Sequence, residues 1–354
     1  MSRIFFLLLR LWIAFGLLTG CSVFPATKPD SAPQPVTATA SPEPALSNIE
    51  PAPVSTATPT STPSPTPQPS ATLTATPTEI PRPRRVLILS IDGLRPEAIS
   101  LAPMPNLLEL MRTGAYSLSA QTIFPSATLP SHASMLTGQC PDKHGLYWND
   151  YIPEYGYAAG PSIFTLAKNA GLHTIMFVGK EKLRQVTAPE TTNVYRYIND
   201  RDLVIAAEII PELKKGFGLT FIHFPTSDWM GHEYGWLSPE QLSVLRRADE
   251  AIGNILTALE ESDLRNDTLF IITADHGGHN QTHGSSLRED MTIPWVINGP
   301  GVVPGEIKVA INTTDTAATA AFALNLQIPA EWDGYPVREA FGALPLPRPD
   351  PRCP

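Results

Sequence analysis

Seven side chains able to bind a metal ion fall in three short clusters. Asp92 closes an apolar run. Asp228 and His232 stand four apart in Pro225-Thr226-Ser227-Asp228-Trp229-Met230-Gly231-His232. Asp275-His276-Gly277 is followed closely by His279 and His283. Three carboxylates with three or four histidines can furnish two cations with mixed nitrogen and oxygen ligands, a set that suits zinc better than calcium or magnesium. Any one of these residues alone reads as a capping aspartate or a core histidine, but the serial pattern does not. A hydroxyl nucleophile is available in Phe124-Pro125-Ser126-Ala127-Thr128-Leu129-Pro130-Ser131-His132. Thr128 stands just before an expected helix, where backbone N–H groups stabilise an anion. By itself it could be a simple N-cap. An unaided hydroxyl is a weak nucleophile at neutral pH, so it needs a base or a metal.

The elements that must carry these residues can be read from the apolar pattern. Val86 to Ile91, Thr174 to Val178, Leu219 to Phe224, Thr268 to Thr273 and Ile293 to Ile297 are short, continuously apolar runs, as buried strands are. Between them lie helical stretches near Met104 to Gly114, Ile163 to Ala170, Pro239 to Glu261 and Thr314 to Leu324. Continuous strands separated by helices predict an α/β fold with a mostly parallel central sheet covered on both faces. In such a sheet the residues at the strand ends gather in one crevice. Nearly every predicted strand here ends in a potential ligand.

Taken in order, these segments resemble the alkaline phosphatase superfamily, and most closely its type I phosphodiesterase and nucleotide pyrophosphatase branch. The resemblance covers about residues 85 to 340. It rests on the leading strand into Asp92-Gly93, the Phe-Pro-x-x-Thr-x-Pro-x-His segment with Leu136-Thr137-Gly138, Pro141-Asp142-Lys143-His144-Gly145, Asp228-x-x-x-His232 and Asp275-His276-Gly277. It implies a three-layer α/β/α sandwich and two divalent metal ions, zinc first among them. One would be held by Asp228, His232 and a later histidine, with His283 preferred and His279 its competitor. The other would be held by Asp92, Thr128, Asp275 and His276. It also implies attack by Thr128 on a phosphodiester or pyrophosphate, a phosphothreonine intermediate, and donation from Ser131 and the Leu129 N–H to a phosphate oxygen. The sequence departs from the nucleotide pyrophosphatases at Ser131, where they usually carry Asn. Sulfatases of the superfamily carry a C-x-P-S-R pattern, and Thr128-Leu129-Pro130-Ser131-His132 lacks both its Cys and its Arg. Phosphomonoester, phosphonate or phosphoryl-transfer chemistry on the same fold stays open, as does an inactive binding protein. His132 and His144 read as structural, and His173 and His223 as strand residues, with His223 able to support a ligand from behind. Tyr147, Trp148, Tyr151, Tyr155 and Tyr157 can stack on a nucleobase or simply pack a loop.

Composition frames this part of the chain. Of 38 prolines in 354 residues, sixteen lie between 22 and 83, among Thr, Ser and Ala. Such a stretch cannot bury enough surface to fold and predicts a stiff spacer. Ahead of it, Arg3 and Arg10 precede an apolar run too short to span a bilayer. Leu18-Thr19-Gly20-Cys21 looks like a bacterial lipobox, so residues 1–21 are expected to be a lipoprotein signal peptide. Cys21 would then tether the exported chain to the cell envelope by lipid. The catalytic domain is expected over 84–345, with a proline-rich tail at 346–354. The chain's net charge is -9, and a small phosphorylated substrate, not a nucleic acid, is the expected partner, because nothing basic is left over to neutralise many phosphates. Cys140 and Cys353 could pair in an oxidising compartment, although the sequence does not bring their Cα atoms within bonding range.

Overall fold

Arg85–Ile91 (β1) lies at the centre of the sheet, and its residues are buried almost without exception. It runs parallel to Leu219–Phe224 on one side and to Thr268–Thr273 on the other. A strand paired on both edges and covered on both faces has no wet side, which is why its sequence shows no polar alternation. In chain order the other strands are Ala115–Gln121 (β2), Thr174–Val178 (β3), Val194–Tyr197 (β4), Leu219–Phe224 (β5), Thr268–Thr273 (β6), Thr292–Asn298 (β7) and Gly305–Glu306 (β8). They form one eight-stranded sheet in the order β4-β3-β5-β1-β6-β7-β2-β8. The five strands from β4 to β6 are parallel, whereas β7 runs antiparallel to both β6 and β2.

The computed structural model describes residues 82–348 and Cys353. The expected leader at 1–21 with its Cys21, the expected spacer as far as residue 81, and residues 349–352 and 354 of the expected tail lie outside the described residues. Helices pack on the sheet to complete the α/β sandwich. The longest, Pro239–Glu260, is capped by Ser238, whose side chain accepts the Gln241 N–H, and it buries Leu245, Ala248, Ile252, Ile255 and Leu259 at helical spacing. The helix Thr128–Thr137 is different, because all ten of its residues are buried. A helix enclosed on every side is held in place by its whole surface, so whatever sits at its N-terminus is rigidly placed. No helix among the described residues is long and apolar enough to cross a membrane.

The predicted strands agree with the observed ones to within a residue. Three strands, β2, β4 and the two-residue β8, were not anticipated. The Asp228-to-His232 segment also proves to be helical, within Thr226–Tyr234. Cys140 and Cys353 form a disulfide with Cα atoms 5.3 Å apart.

Candidate active site

Four adjacent parallel strands, β3, β5, β1 and β6, point their C-terminal ends at one place. Beyond those ends lie Lys180, Asp228, Asp92 and Asp275 in turn. This is the crevice that parallel sheets offer for ligands. From β5 the chain turns at Pro225 into the helix Thr226–Tyr234, so Asp228 and His232 sit one turn apart on the same face. On the other wall, the buried helix Thr128–Thr137 presents Thr128 from its first turn, not from a position ahead of it.

Five of the predicted ligands converge in two overlapping groups. Asp228, His232 and His283 form one, and Asp92, Asp228 and His276 the other, each with donor atoms within 4.8 Å of one another. In the first group, Asp228 Oδ1 lies 3.4 Å from His232 Nε2 and 3.6 Å from His283 Nε2. Next to the second, His276 Nε2 lies 3.4 Å from Asp92 Oδ1 and 3.3 Å from Asp275 Oδ2. Four ligands set tetrahedrally about a zinc ion at about 2.0 Å stand roughly 3.3 Å apart. The observed separations match that edge. His279 is not in either group, since its Nδ1 lies 2.7 Å from Asp290 Oδ1.

The free valences fit an ion as well. Each of the three carboxylates has one oxygen held by the protein. His223 Nε2 and Lys180 contact Asp92 Oδ2 at 2.8 and 2.6 Å, Lys180 donates to Asp228 Oδ2 at 2.6 Å, and the Gly93 N–H donates to Asp275 Oδ1 at 3.2 Å. The other oxygens, Asp92 Oδ1, Asp228 Oδ1 and Asp275 Oδ2, are buried without a hydrogen-bond partner, as is His276 Nε2. Buried polar atoms are seldom left so, and four at one place are the mark of a cation site. The imidazoles are prepared in the same sense. His232, His276 and His283 each give Nδ1–H to a backbone carbonyl, of Gln281, Gly277 and Ser126 respectively, which leaves Nε2 as a lone-pair donor. Burial lowers the pKa of His276, and it lowers that of His283 to about 4, so both rings are neutral near pH 7.

The carboxylates are unevenly compensated. Burial would raise the Asp92 pKa, but the Lys180 charge and the His223 hydrogen bond outweigh it and hold this group well below the ordinary carboxylate range. Asp275 is pushed well above that range by burial and by the nearby Asp92 charge. One ammonium among three buried carboxylates leaves the cluster short of positive charge.

Thr128 Oγ1 accepts a hydrogen bond from Lys180 at 3.2 Å. Behind it, His132 Nδ1 donates to the Thr128 carbonyl and Ser90 bonds His132 Nε2, both at 2.8 Å. The Leu129 N–H donates to Asn149 Oδ1 at 2.9 Å, so that amide is already engaged and the carboxamide of Asn149 is fixed beside Thr128. Ser131 is fully buried one turn further on, and its hydroxyl meets Thr122 at 3.1 Å. Of the groups expected to meet a phosphate oxygen, the Leu129 N–H is thus bonded to Asn149 and the Ser131 hydroxyl to Thr122.

Lys180, Asn149 and Trp236 escaped the sequence reading. Lys180 follows β3 just as Asp92 follows β1, so the strand-end rule would have found it had cations been sought with the anions. Trp236 has no such signal. Its indole donates to the Gly93 carbonyl at 2.9 Å, and its ring fills a slot lined by Gly93, Gly231 and Gly278, where an added Cβ would lie 3.2, 2.9 and 2.1 Å from it. Each glycine adjoins a predicted ligand or lies within two residues of one. Among the aromatic residues of the 147–157 loop, Tyr147, Tyr155 and Tyr157 are exposed, and Trp148 packs edge-on to Tyr155 at 4.9 Å. His144 is buried and bonded to Ser134, a packing role.

The profile of the family described as type I phosphodiesterase / nucleotide pyrophosphatase matches residues 86–289. Human ectonucleotide pyrophosphatase/phosphodiesterase family member 1 is 26% identical over 215 residues, which are 54% of this chain and 23% of that protein. The chain spans about a quarter to a half of the length of the curated relatives it matches. Among solved structures, murine ectonucleotide pyrophosphatase/phosphodiesterase 5 superposes with a TM-score of 0.60 at 18% identity, covering 69% of this chain and 96% of the other. The alkaline phosphatase PafA gives 0.61 at 14% identity, covering 74% and 100%.

Proposed function

The chain belongs to the type I phosphodiesterase / nucleotide pyrophosphatase family, and from that membership we propose a two-zinc hydrolase that cleaves phosphodiester or pyrophosphate bonds through a phosphothreonine at Thr128. The observation that carries this reading is the arrangement of three half-free carboxylates and three Nε2 donors around one buried helix N-terminus. Asp228, His232 and His283 would hold one ion, and Asp92, Asp275, His276 and Thr128 the other. Bound there, divalent ions would supply the positive charge that activates a hydroxyl and neutralises phosphoryl oxygens.

The chain's own residues do the rest. Thr128 Oγ1 gives up its proton to water and forms a bond to phosphorus, while the bond from phosphorus to the leaving oxygen breaks and its electron pair departs with that group, which is protonated from solvent. Asn149, its oxygen committed to the Leu129 N–H, has its amide protons left to donate to a phosphoryl oxygen. Water then displaces Thr128 and releases the phosphorylated product. A small phosphorylated molecule such as a nucleotide is the substrate we propose, with the exposed tyrosines of the 147–157 loop available to its leaving group. We place the enzyme in the bacterial cell envelope, exported and tethered through lipid on Cys21 by a spacer over 22–83.

Hydrolysis of bis(4-nitrophenyl) phosphate, elemental analysis and acid-quench trapping of a phosphorylated chain test the reading. Wild type should carry zinc and a trappable phosphoryl group, and Thr128→Ala should keep the metal while losing both the trapped group and turnover. Undiminished turnover in Thr128→Ala would remove the nucleophile, and active protein free of metal would remove the mechanism.

A further inference from the structure

Lys180 reaches the reaction centre from the end of β3, with the side chain only 11% exposed. Its ammonium makes three contacts there: Asp92 Oδ2 at 2.6 Å, Asp228 Oδ2 at 2.6 Å and Thr128 Oγ1 at 3.2 Å. The first two share one candidate ion group, Asp228 also belongs to the other, and the third is the proposed nucleophile. The oxygens it takes are not those left bare, since Asp92 Oδ1 and Asp228 Oδ1 keep no partner. A lysine standing in for a metal ion would have consumed those same valences. An ammonium using the opposite lone pair of each carboxylate is instead compatible with ions on the other side.

We propose that Lys180 is a catalytic residue, a third fixed cation that orients the Thr128 oxygen and meets the phosphoryl group as it arrives. This rests on the assignment of Thr128 as nucleophile. Three carboxylates and two divalent ions leave a single surplus positive charge, and Lys180 doubles it. The surplus acts in a water-poor pocket, where charge interactions are strong. Its worth grows with the charge on the group it meets, so a dianionic phosphoryl group gains more from it than a monoanionic diester. Lys180 therefore tunes the site toward products and substrates carrying a terminal phosphate.

The test compares full-length wild type, Lys180→Met, Lys180→Ala and Thr128→Ala. It reads metal per chain, kcat and KM on bis(4-nitrophenyl) phosphate, and competitive inhibition by inorganic phosphate. Lys180→Met should keep its metal, lose on the order of 10²-fold in kcat, and bind inorganic phosphate at least about tenfold more weakly, a loss larger than its change in KM for the monoanionic diester. Ethylammonium should restore part of the Lys180→Ala activity and none of the Lys180→Met activity, because only the alanine variant leaves room for it. Three results would overturn the proposal: Lys180→Met within threefold of wild type, metal lost in proportion to activity, or an extra ion bound where the ammonium had been. If Lys180→Met is unimpaired while Thr128→Ala is dead, only this proposal falls. If Thr128→Ala stays active, the nucleophile assignment falls with it.

Discussion

The imidazoles of His276 and His283 are stacked, with ring centroids 3.7 Å apart and planes 16° from parallel. His276 Nε2 faces Asp92 and Asp275 and His283 Nε2 faces Asp228, so the two candidate ion groups meet at this stacked pair. Removing one ring takes the support from the other. His283→Ala should therefore weaken divalent-ion binding at both sites, and His276→Ala should do the same. His279→Ala, which loses only the Asp290 contact, should leave the metal content as in wild type. Titration with zinc against a chromogenic chelator measures all three, and a full metal complement in His283→Ala would exclude that residue as a ligand.

His223 acts from behind the ligands. It accepts the Gly179 N–H at Nδ1, at 3.2 Å, and so must present Nε2–H to Asp92 Oδ2. That fixes both the tautomer and the rotation of the carboxylate. His223→Ala should cost roughly 10- to 100-fold in metal affinity, the usual effect of losing a supporting hydrogen bond. The same zinc titration gives the answer, and thermal unfolding of the metal-loaded variant shows whether the fold survives.

Acid should destabilise the protein through His144 as well as through the ligands. This ring accepts the Leu146 N–H and is bonded to Ser134, and burial lowers its pKa from the ordinary 6.5 to about 4. Below pH 6.5 the unfolded chain takes up a proton that the folded chain refuses. The stability associated with the neutral ring is therefore complete above that pH and is lost as the pH falls toward about 4. The full loss is at most roughly 3 kcal/mol. Denaturant unfolding at pH 7 and pH 5 should show it, with a shallower pH slope in His144→Gln.

The Cys140–Cys353 bond closes a loop of 213 residues in sequence separation. A link of that span restricts the unfolded chain strongly, and its removal should cost about 2 to 4 kcal/mol. Cys140 follows the C-terminal end of the helix Thr128–Thr137, whereas Thr128 is at the opposite end. Reduction, or Cys353→Ser, should thus lower the unfolding temperature and leave kcat of the folded protein little changed. A large fall in kcat at a temperature where the variant is fully folded would mean that the bond positions the helix.

The readable part of this chain was the part where burial is complete. β1, β3, β5 and β6 are buried along nearly their whole length and mostly apolar because both faces are covered, and their limits were plain. β2, with the sequence Ala-Tyr-Ser-Leu-Ser-Ala-Gln, alternates irregularly between buried and exposed, and β4 has no fully buried residue, so neither carried a pattern. The antiparallel course of β7 left no trace in its residues, which are as buried as those of a parallel strand. Of the site, the residues that bear ligating atoms were visible from type and spacing. Asn149 was not, because a single amide has no spacing to betray it, whereas Lys180 had the strand-end position of the carboxylates but not their charge. Whether His279 or His283 lay near Asp228 depended on the course of a loop, and there the Ser126 contacts with His283 and Ser285 decide the matter.

Trp236 gives the ligand-bearing segments a common datum. Residues 93, 231 and 278 are remote in sequence, yet each is gauged against the same indole and none against the others. A side chain added at any of the three would run into that ring, so three separate stretches of backbone, beside residues 92, 232 and 276, take their distance from a residue that offers no ligating atom.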